Sequence, residues 1–172
     1  MEPIAPPLPT LHPNAVTIGR FYAAFAALDA DTMAACYAPD ASFEDEVFTL
    51  EGRDMIAAMW AMLCQASRAN GPGEWHLEFT GITADDLHGS AHWQAWYRFS
   101  ATGRRVHNTI SARFLFRDGL ITAHRDAFNF WAWSRQALGV AGLLLGGSAW
   151  LRAKVRAQAA AKLGLFKAGR RA

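Results

Sequence analysis

Cysteine is scarce. Cys36 and Cys64 are the only two, and they form neither a CxxC pair nor a metal-ligand spacing. They read as reduced, buried thiols of a cytoplasmic protein. Met1-Glu2-Pro3 lacks the basic and apolar regions of a signal peptide, which points the same way. No uncharged run reaches the roughly 18–20 residues of a membrane span. The longest that is also free of histidine, Gln136 to Leu151, has 16 residues and four glycines. There is no Gly-rich phosphate loop, GxSxG elbow, HExxH helix or Cys/His cluster, so the sequence supports no metal site and implies no cofactor. Acid is missing from the last quarter: all 15 acidic residues lie at or before Asp126. Residues 1–126 carry nine arginines and a net charge of −6, whereas residues 127–172 carry eight basic residues and a net charge of +8. The body is acidic and its cations are not interleaved with aromatics, so a nucleic-acid partner is not expected.

What is abundant is apolar. Of 172 residues, 52% are hydrophobic, and the aromatics comprise 11 Phe, 7 Trp and 3 Tyr. That excludes disorder throughout and suits a single domain with a large core or a greasy cavity. Prolines at 3, 6, 7, 9 and 13 make residues 1–13 an extended arm. Asn14 is a plausible cap for a first helix with Phe21, Ala24, Phe25 and Leu28 on one stripe. Asp31 or Thr32 caps a short second helix through Tyr37, and Pro39-Asp40 reads as a turn. A strand from Ala41 to Phe48 and a helix from Arg53 to Gln65 follow. The period then falls to two, predicting four strands in a meander: around Trp75–Thr80, around His92–Phe99, then Val106–Phe116 and Leu120–Phe130. Arg117-Asp118-Gly119 carries the strongest hairpin signal. Helices before an antiparallel sheet predict an α+β domain over residues 14–135, followed by a helical extension over 136–172.

Three segments bear chemistry. In Phe43-Glu44-Asp45-Glu46-Val47, strand alternation puts Asp45 on the face of Phe43 and Val47, where burial would raise its pKa and make it a proton carrier near neutral pH. The plainer alternative is a loop carboxylate that caps a helix or pairs with an arginine. In Ala123-His124-Arg125-Asp126-Ala127-Phe128, His124, Asp126 and Phe128 share one face, though the neighbours do not say which face is inner. In Arg104-Arg105-Val106-His107-Asn108, the arginines read as a solvated hairpin end; Asn108 shares the face of Val106 and Ile110, and His107 points outward.

The order of these elements, with Arg20 to Phe25, Asp40 to Asp45, Ala101 to Arg105, Phe114 to Ile121 and His124 to Asp126, resembles ketosteroid isomerase and the SnoaL-like polyketide cyclases of the NTF2-like superfamily. The resemblance covers about residues 14–135 and implies a cone, in which a bent antiparallel sheet wraps three N-terminal helices around a deep apolar pocket. It places Asp45 at the isomerase's general base. It puts Phe21 where the isomerase has its oxyanion tyrosine and Ala112 where it has its second donor, with Tyr22 about 100° further round the helix. Loss of one such donor typically costs about 100–1000-fold, so steroid isomerisation proper is not expected. His124, Asp126 and Phe128 fall on the pocket side, Trp93, Tyr97, Ile110 and Phe114 line the wall, and Met59 and Trp60 close the top.

The expected function is acid–base chemistry by Asp45, His124 and Asp126 on an apolar cyclic molecule. Two alternatives remain. One is a hydrolase resembling limonene-epoxide hydrolase, with Asp45 and Asp126 as its carboxylate pair. The other is a non-catalytic binding module that forms a homodimer through the outer sheet face around Trp96. The basic extension carries Leu151, Val155, Ala159, Leu163 and Phe166 at helical spacing. It reads either as a helix packed on the acidic body or a partner subunit, or as a membrane-surface anchor; the alanine-rich stripe favours packing.

Overall fold

A computed structural model describes residues 11–170, so most of the proline-rich arm lies outside the described residues. The first helix, α1 (Pro13–Ala26), begins with proline at its first turn, where the missing N–H costs nothing. Its cap is His12, whose Nδ1 accepts from the Asn14 N–H, and not Asn14 as the sequence suggests. Asn14 is buried and its amide donates to the carbonyls of Asp85 and Asp86, fastening α1 to a sheet hairpin. Ile18, Phe21, Tyr22 and Phe25 form the buried stripe. Asp29 caps α2 (Ala30–Ala35) by accepting from the Thr32 N–H. α3 (Arg53–Ala69) buries Ile56, Met59, Trp60, Met62 and Cys64.

Six strands follow the order β2-β1-β6-β5-β4-β3 in one sheet. They are β1 (Tyr37–Glu44), β2 (Thr49–Glu51), β3 (His76–Ala84), β4 (His88–Arg98), β5 (Arg105–Arg117) and β6 (Leu120–Ala127). All neighbours are antiparallel except β1 and β6, which run parallel. Pro39-Asp40 therefore lies inside a strand, at a register irregularity between Tyr37 and Ser42, and does not turn the chain. The expected strand over residues 41–48 is split instead by a turn at Asp45–Phe48. β5 alternates cleanly, with Val106, Ile110, Ala112, Phe114 and Phe116 inward. β6 does not. Leu115 pairs with Ala123 but Phe116 pairs with Ile121, so Thr122 is an extra residue. This bulge lets Ile121 and His124 both face inward despite their odd spacing.

The inner face of the sheet packs on α1, α2 and α3 to form the main core. A second, smaller cluster joins Val106 to three residues of α4 (Phe130–Leu138) and to Leu151 and Val155 of α6 (Ala149–Gly169). Between them α5 (Val140–Leu145) folds tightly onto α4: a Cβ on Gly142 would lie 1.9 Å from the Ser134 carbonyl oxygen, so only glycine fits. The apolar stripe of α6 is turned to the body, with Leu151, Val155 and Leu163 buried. Its cations meet the acidic domain: Arg152 pairs with Glu46, and Arg156 donates to the carbonyls of Asp45 (3.2 Å) and Glu46 (3.1 Å). The stripe is thus occupied by the protein itself and is not free to enter a membrane.

Docking of α6 is measurable. Leu163 is 2% exposed and Leu165, two residues on, is 77% exposed. Leu163→Ala is expected to cost about 2–5 kcal/mol in urea unfolding, while Leu165→Ala stays within about 0.5 kcal/mol. Equal effects would mean that α6 does not rest on the body.

Candidate active site

The sheet's curve and the helices at its open end enclose a cavity of about 290 Å³, near the lower end of small-molecule sites. Its floor comes from β4, β5 and β6, one wall from α3, and its roof from α4 and α6. The lining is mostly aromatic and aliphatic, including four tryptophans: Trp60, Trp75, Trp93 and Trp133. Four polar groups matter among them.

Asp126 is 5% exposed and lines the cavity from β6. Its Oδ1 accepts from His124 Nε2 at 3.0 Å and, more weakly, from Trp93 Nε1 at 3.4 Å. Behind it the chain continues inward. Trp60 Nε1 donates to the Tyr37 hydroxyl at 3.1 Å, and Tyr37 lies 2.7 Å from His124 Nδ1. An indole nitrogen only donates, so Tyr37 accepts from Trp60 and its own O–H is left for Nδ1. The proton on the imidazole is then at Nε2, directed to Asp126. Burial pushes the Tyr37 hydroxyl well above its ordinary pKa, so it stays protonated as this chain requires. The rings of Phe114 (4.3 Å) and Phe43 (5.0 Å) pack against the imidazole.

Asp45 lies just beyond β1. Its Oδ1 accepts from the N–H groups of Val47 (2.7 Å) and Phe48 (2.5 Å), which makes the turn, while the residue also lines the cavity. Burial pushes its carboxyl up from 3.8 to about 6, against the lowering effect of those two N–H groups. Asp45 thus holds a turn and lines the cavity at once; among the described residues its carboxyl neither caps a helix nor pairs with an arginine. Tyr97 and Asn108 also line the cavity. The Tyr97 oxygen accepts from Trp133 Nε1 at 2.9 Å, leaving its O–H to donate, and burial raises its pKa to about 12. Among the described residues the Asn108 side chain has no hydrogen-bond partner, so its amide is open to a ligand.

Several residues expected at the pocket stand on its wall: Met59, Trp60, Trp93, Tyr97, Asn108, Ile110 and Phe128, with Asp45 and Asp126. Four do not. His124 is one layer deeper and touches the cavity only through Asp126. Phe21 and Phe114 pack on the His124 ring, because α1 and the middle of β5 fill the closed end of the cone. Tyr22 is completely buried, stacks on Phe79, and its hydroxyl has no partner among the described residues. Sequence reasoning missed Tyr37, which it assigned to the end of a helix, and Trp133 with the α6 residues Val155, Gln158, Ala159 and Lys162 that close the roof. The helical stripe of the basic extension was the available signal for that roof. Among the described residues no three His, Cys, Asp or Glu side chains converge as a metal site would require.

This geometry sits within a known family. Residues 18–124 match the SnoaL-like domain, and the chain belongs to that family. Solved structures share its NTF2-like cone. A putative polyketide cyclase from Silicibacter sp. is 24% identical over 73% of this chain and 96% of its own, with a TM-score of 0.58. An LEH-like epoxide hydrolase from M. tuberculosis is 21% identical over 77% and 93%, with a TM-score of 0.56. TerC, co-crystallised with polyporic acid, is 17% identical over 74% and 100%, with a TM-score of 0.62. At such identities the likeness establishes the fold. No curated protein matches the chain.

The Asp45 carboxyl makes stability depend on pH. Its folded pKa of about 6 exceeds the ordinary 3.8, so the folded state holds the extra proton between these values. Its contribution is therefore complete below about pH 4 and is lost as pH rises through about 6. Asp45→Asn keeps the acceptor that makes the turn and removes the titration. Urea midpoints at pH 4.5 and 7 should show the wild type losing on the order of 1–3 kcal/mol relative to the variant. Parallel pH dependence in the two proteins would contradict the raised pKa of this carboxyl.

Proposed function

We propose that the protein is a small-molecule enzyme performing proton transfer on a cyclic, largely apolar ligand. The observation that carries this reading is the meeting of two carboxyl groups, Asp45 and Asp126, with two free hydrogen-bond donors, Tyr97 and Asn108, on one aromatic cavity. A carboxyl with a pKa of about 6 exchanges its proton readily near neutrality. In this account Asp45, as carboxylate, takes a proton from the carbon beside a ligand carbonyl. The electron pair moves onto the carbonyl oxygen, where Tyr97 and Asn108 donate hydrogen bonds to the developing enolate. Asp45 then returns the proton at a different carbon, completing an isomerisation. Alternatively, the enolate carbon attacks a second carbonyl of the same molecule, closing a ring, and Asp45 protonates the new alkoxide.

Asp126 accepts a ligand hydroxyl or the enol proton and fixes the ring's orientation. It stands directly across the sheet from Ala112, the position of the isomerase's second donor in the resemblance. His124 is a positioning residue that acts through Asp126. Its two buried free cysteines fit a cytoplasmic setting.

A second reading rests on the same pair of carboxyls, which would activate water against an epoxide. Arg125 points outward and lies 3.9 Å from Glu44, and Arg98, which lines the cavity, is held by Glu74 at 2.8 Å, so neither is placed between the two carboxyls and the proton-transfer reading is preferred.

The test is a panel of cyclic enones, 1,3-diketones and epoxides followed by NMR in deuterated water. Deuterium should enter beside the carbonyl of at least one ketone. Asp45→Asn should slow that exchange by about 10²–10⁴-fold with ligand affinity retained, and Tyr97→Phe by about 10²–10³-fold. Exchange unaffected by Asp45→Asn would remove the mechanism. Diol formation with oxygen from labelled water would establish the hydrolase, and binding without turnover of any compound a binding module.

A further inference from the structure

α4, α5 and α6 also carry apolar side chains that none of the described residues covers. Val140, Leu144 and Trp150 are 71%, 74% and 60% exposed, and Leu143, Leu145 and Trp131 are exposed as well. All lie at one corner, where α4, α5 and the first turn of α6 meet. The corner is built, not loose. Gly142 seats α5 against Ser134, the Ser134 hydroxyl reaches the Gly142 carbonyl, and Trp131 Nε1 donates to the Leu143 carbonyl at 3.2 Å. Large apolar side chains gathered at one exposed corner mark an interaction surface.

The rim of this corner is cationic. The Arg135 guanidinium lies 5.2 Å from the Trp131 ring and the Lys154 ammonium 5.1 Å from the Trp150 ring. Arg104 packs on Gly139, immediately before α5, and donates to the Gln136 carbonyl. No acidic residue occurs after Asp126, so the segment holds no anion of its own to balance them. Self-association through the corner would set these cations against their own copies. A negatively charged lipid surface satisfies both features at once, because apolar side chains enter the acyl boundary while tryptophan and the cations remain at the headgroups.

We propose that this corner docks the protein on an anionic membrane surface. Val140, Leu143, Leu144 and Trp150 enter the interface, and Arg104, Arg135 and Lys154 meet lipid phosphates. No helix among the described residues is long and apolar enough to cross a membrane, so attachment is peripheral. The docking face differs from the α6 stripe, which is consumed by packing. The same helices reach the cavity from their other side, through Trp133, Leu138 and Val155. The proposal is independent of the reaction assigned to the cavity.

The experiment is co-sedimentation of the full chain with phosphatidylcholine vesicles, with and without phosphatidylserine, alongside analytical ultracentrifugation without lipid. Binding is expected on the anionic vesicles and should weaken with added salt. Leu144→Glu, at a site too exposed to disturb folding, should lower the partition coefficient by at least about tenfold, as should Lys154→Glu through charge alone. Circular dichroism confirms that the variants fold. Absence of binding to anionic vesicles, or binding unchanged in both variants, overturns the proposal. A lipid-free dimer that Leu144→Glu dissociates would instead assign the corner to a second copy.

Discussion

The hydrogen bond from His124 Nε2 to Asp126 Oδ1, 3.0 Å long, is the contact on which the closed end of the cavity depends. The two side chains are 0% and 4% exposed, and such groups are tolerated in a core only when their hydrogen-bonding atoms are satisfied. Here the demand passes inward from one residue to the next. His124 needs a donor at Nδ1 and finds Tyr37; Tyr37 needs a donor at its oxygen and finds Trp60. Trp60 ends the chain because an indole has nothing more to accept. The aromatic rings around the imidazole fix its plane, so the direction of Asp126 toward the cavity follows from packing as much as from polarity.

The open end obeys a different constraint. A curved sheet with three helices in its hollow leaves a mouth, and α4 and α6 cover it. The charge division along the chain becomes a physical attraction there, with Arg152 on Glu46 and Arg156 on two backbone carbonyls of the same turn. That turn carries Asp45. The roof and the carboxyl are therefore held by one set of contacts, and the position of Asp45 is coupled to α6. The desolvation that raises the Asp45 pKa comes from the same enclosure.

The fold was legible where local signals agree. β5 alternates without interruption, and Asp118-Gly119 turns into β6 as its sequence requires. Legibility failed where the backbone breaks its own period. The bulge at Thr122 places Ile121 and His124 on the same side, so no parity rule could assign the β6 face from sequence. Pro39-Asp40 looks like a turn but occupies an irregular strand, which hid Tyr37 among helix residues. Asp45 was readable as a carboxyl among apolar neighbours, although its turn was not. Only the family resemblance put His124 on the inner side, and it did not show that the ring lies one layer too deep, because depth depends on how far α1 and its Phe21 penetrate the cone. The roof was half-visible: helical spacing and charge gave a helix lying on the body, whereas its place over the cavity is a tertiary fact.

The orientation of the His124 ring is decisive, since that ring aims Asp126. Long-range proton–nitrogen correlation NMR of the nitrogen-labelled protein reads both ring nitrogens directly. The expected result is a proton held on Nε2, toward Asp126, with Nδ1 accepting from Tyr37 and the ring shielded from solvent exchange. A proton fixed on Nδ1, or a ring that averages rapidly between tautomers, would contradict it and leave Asp126 without the support that directs it into the cavity.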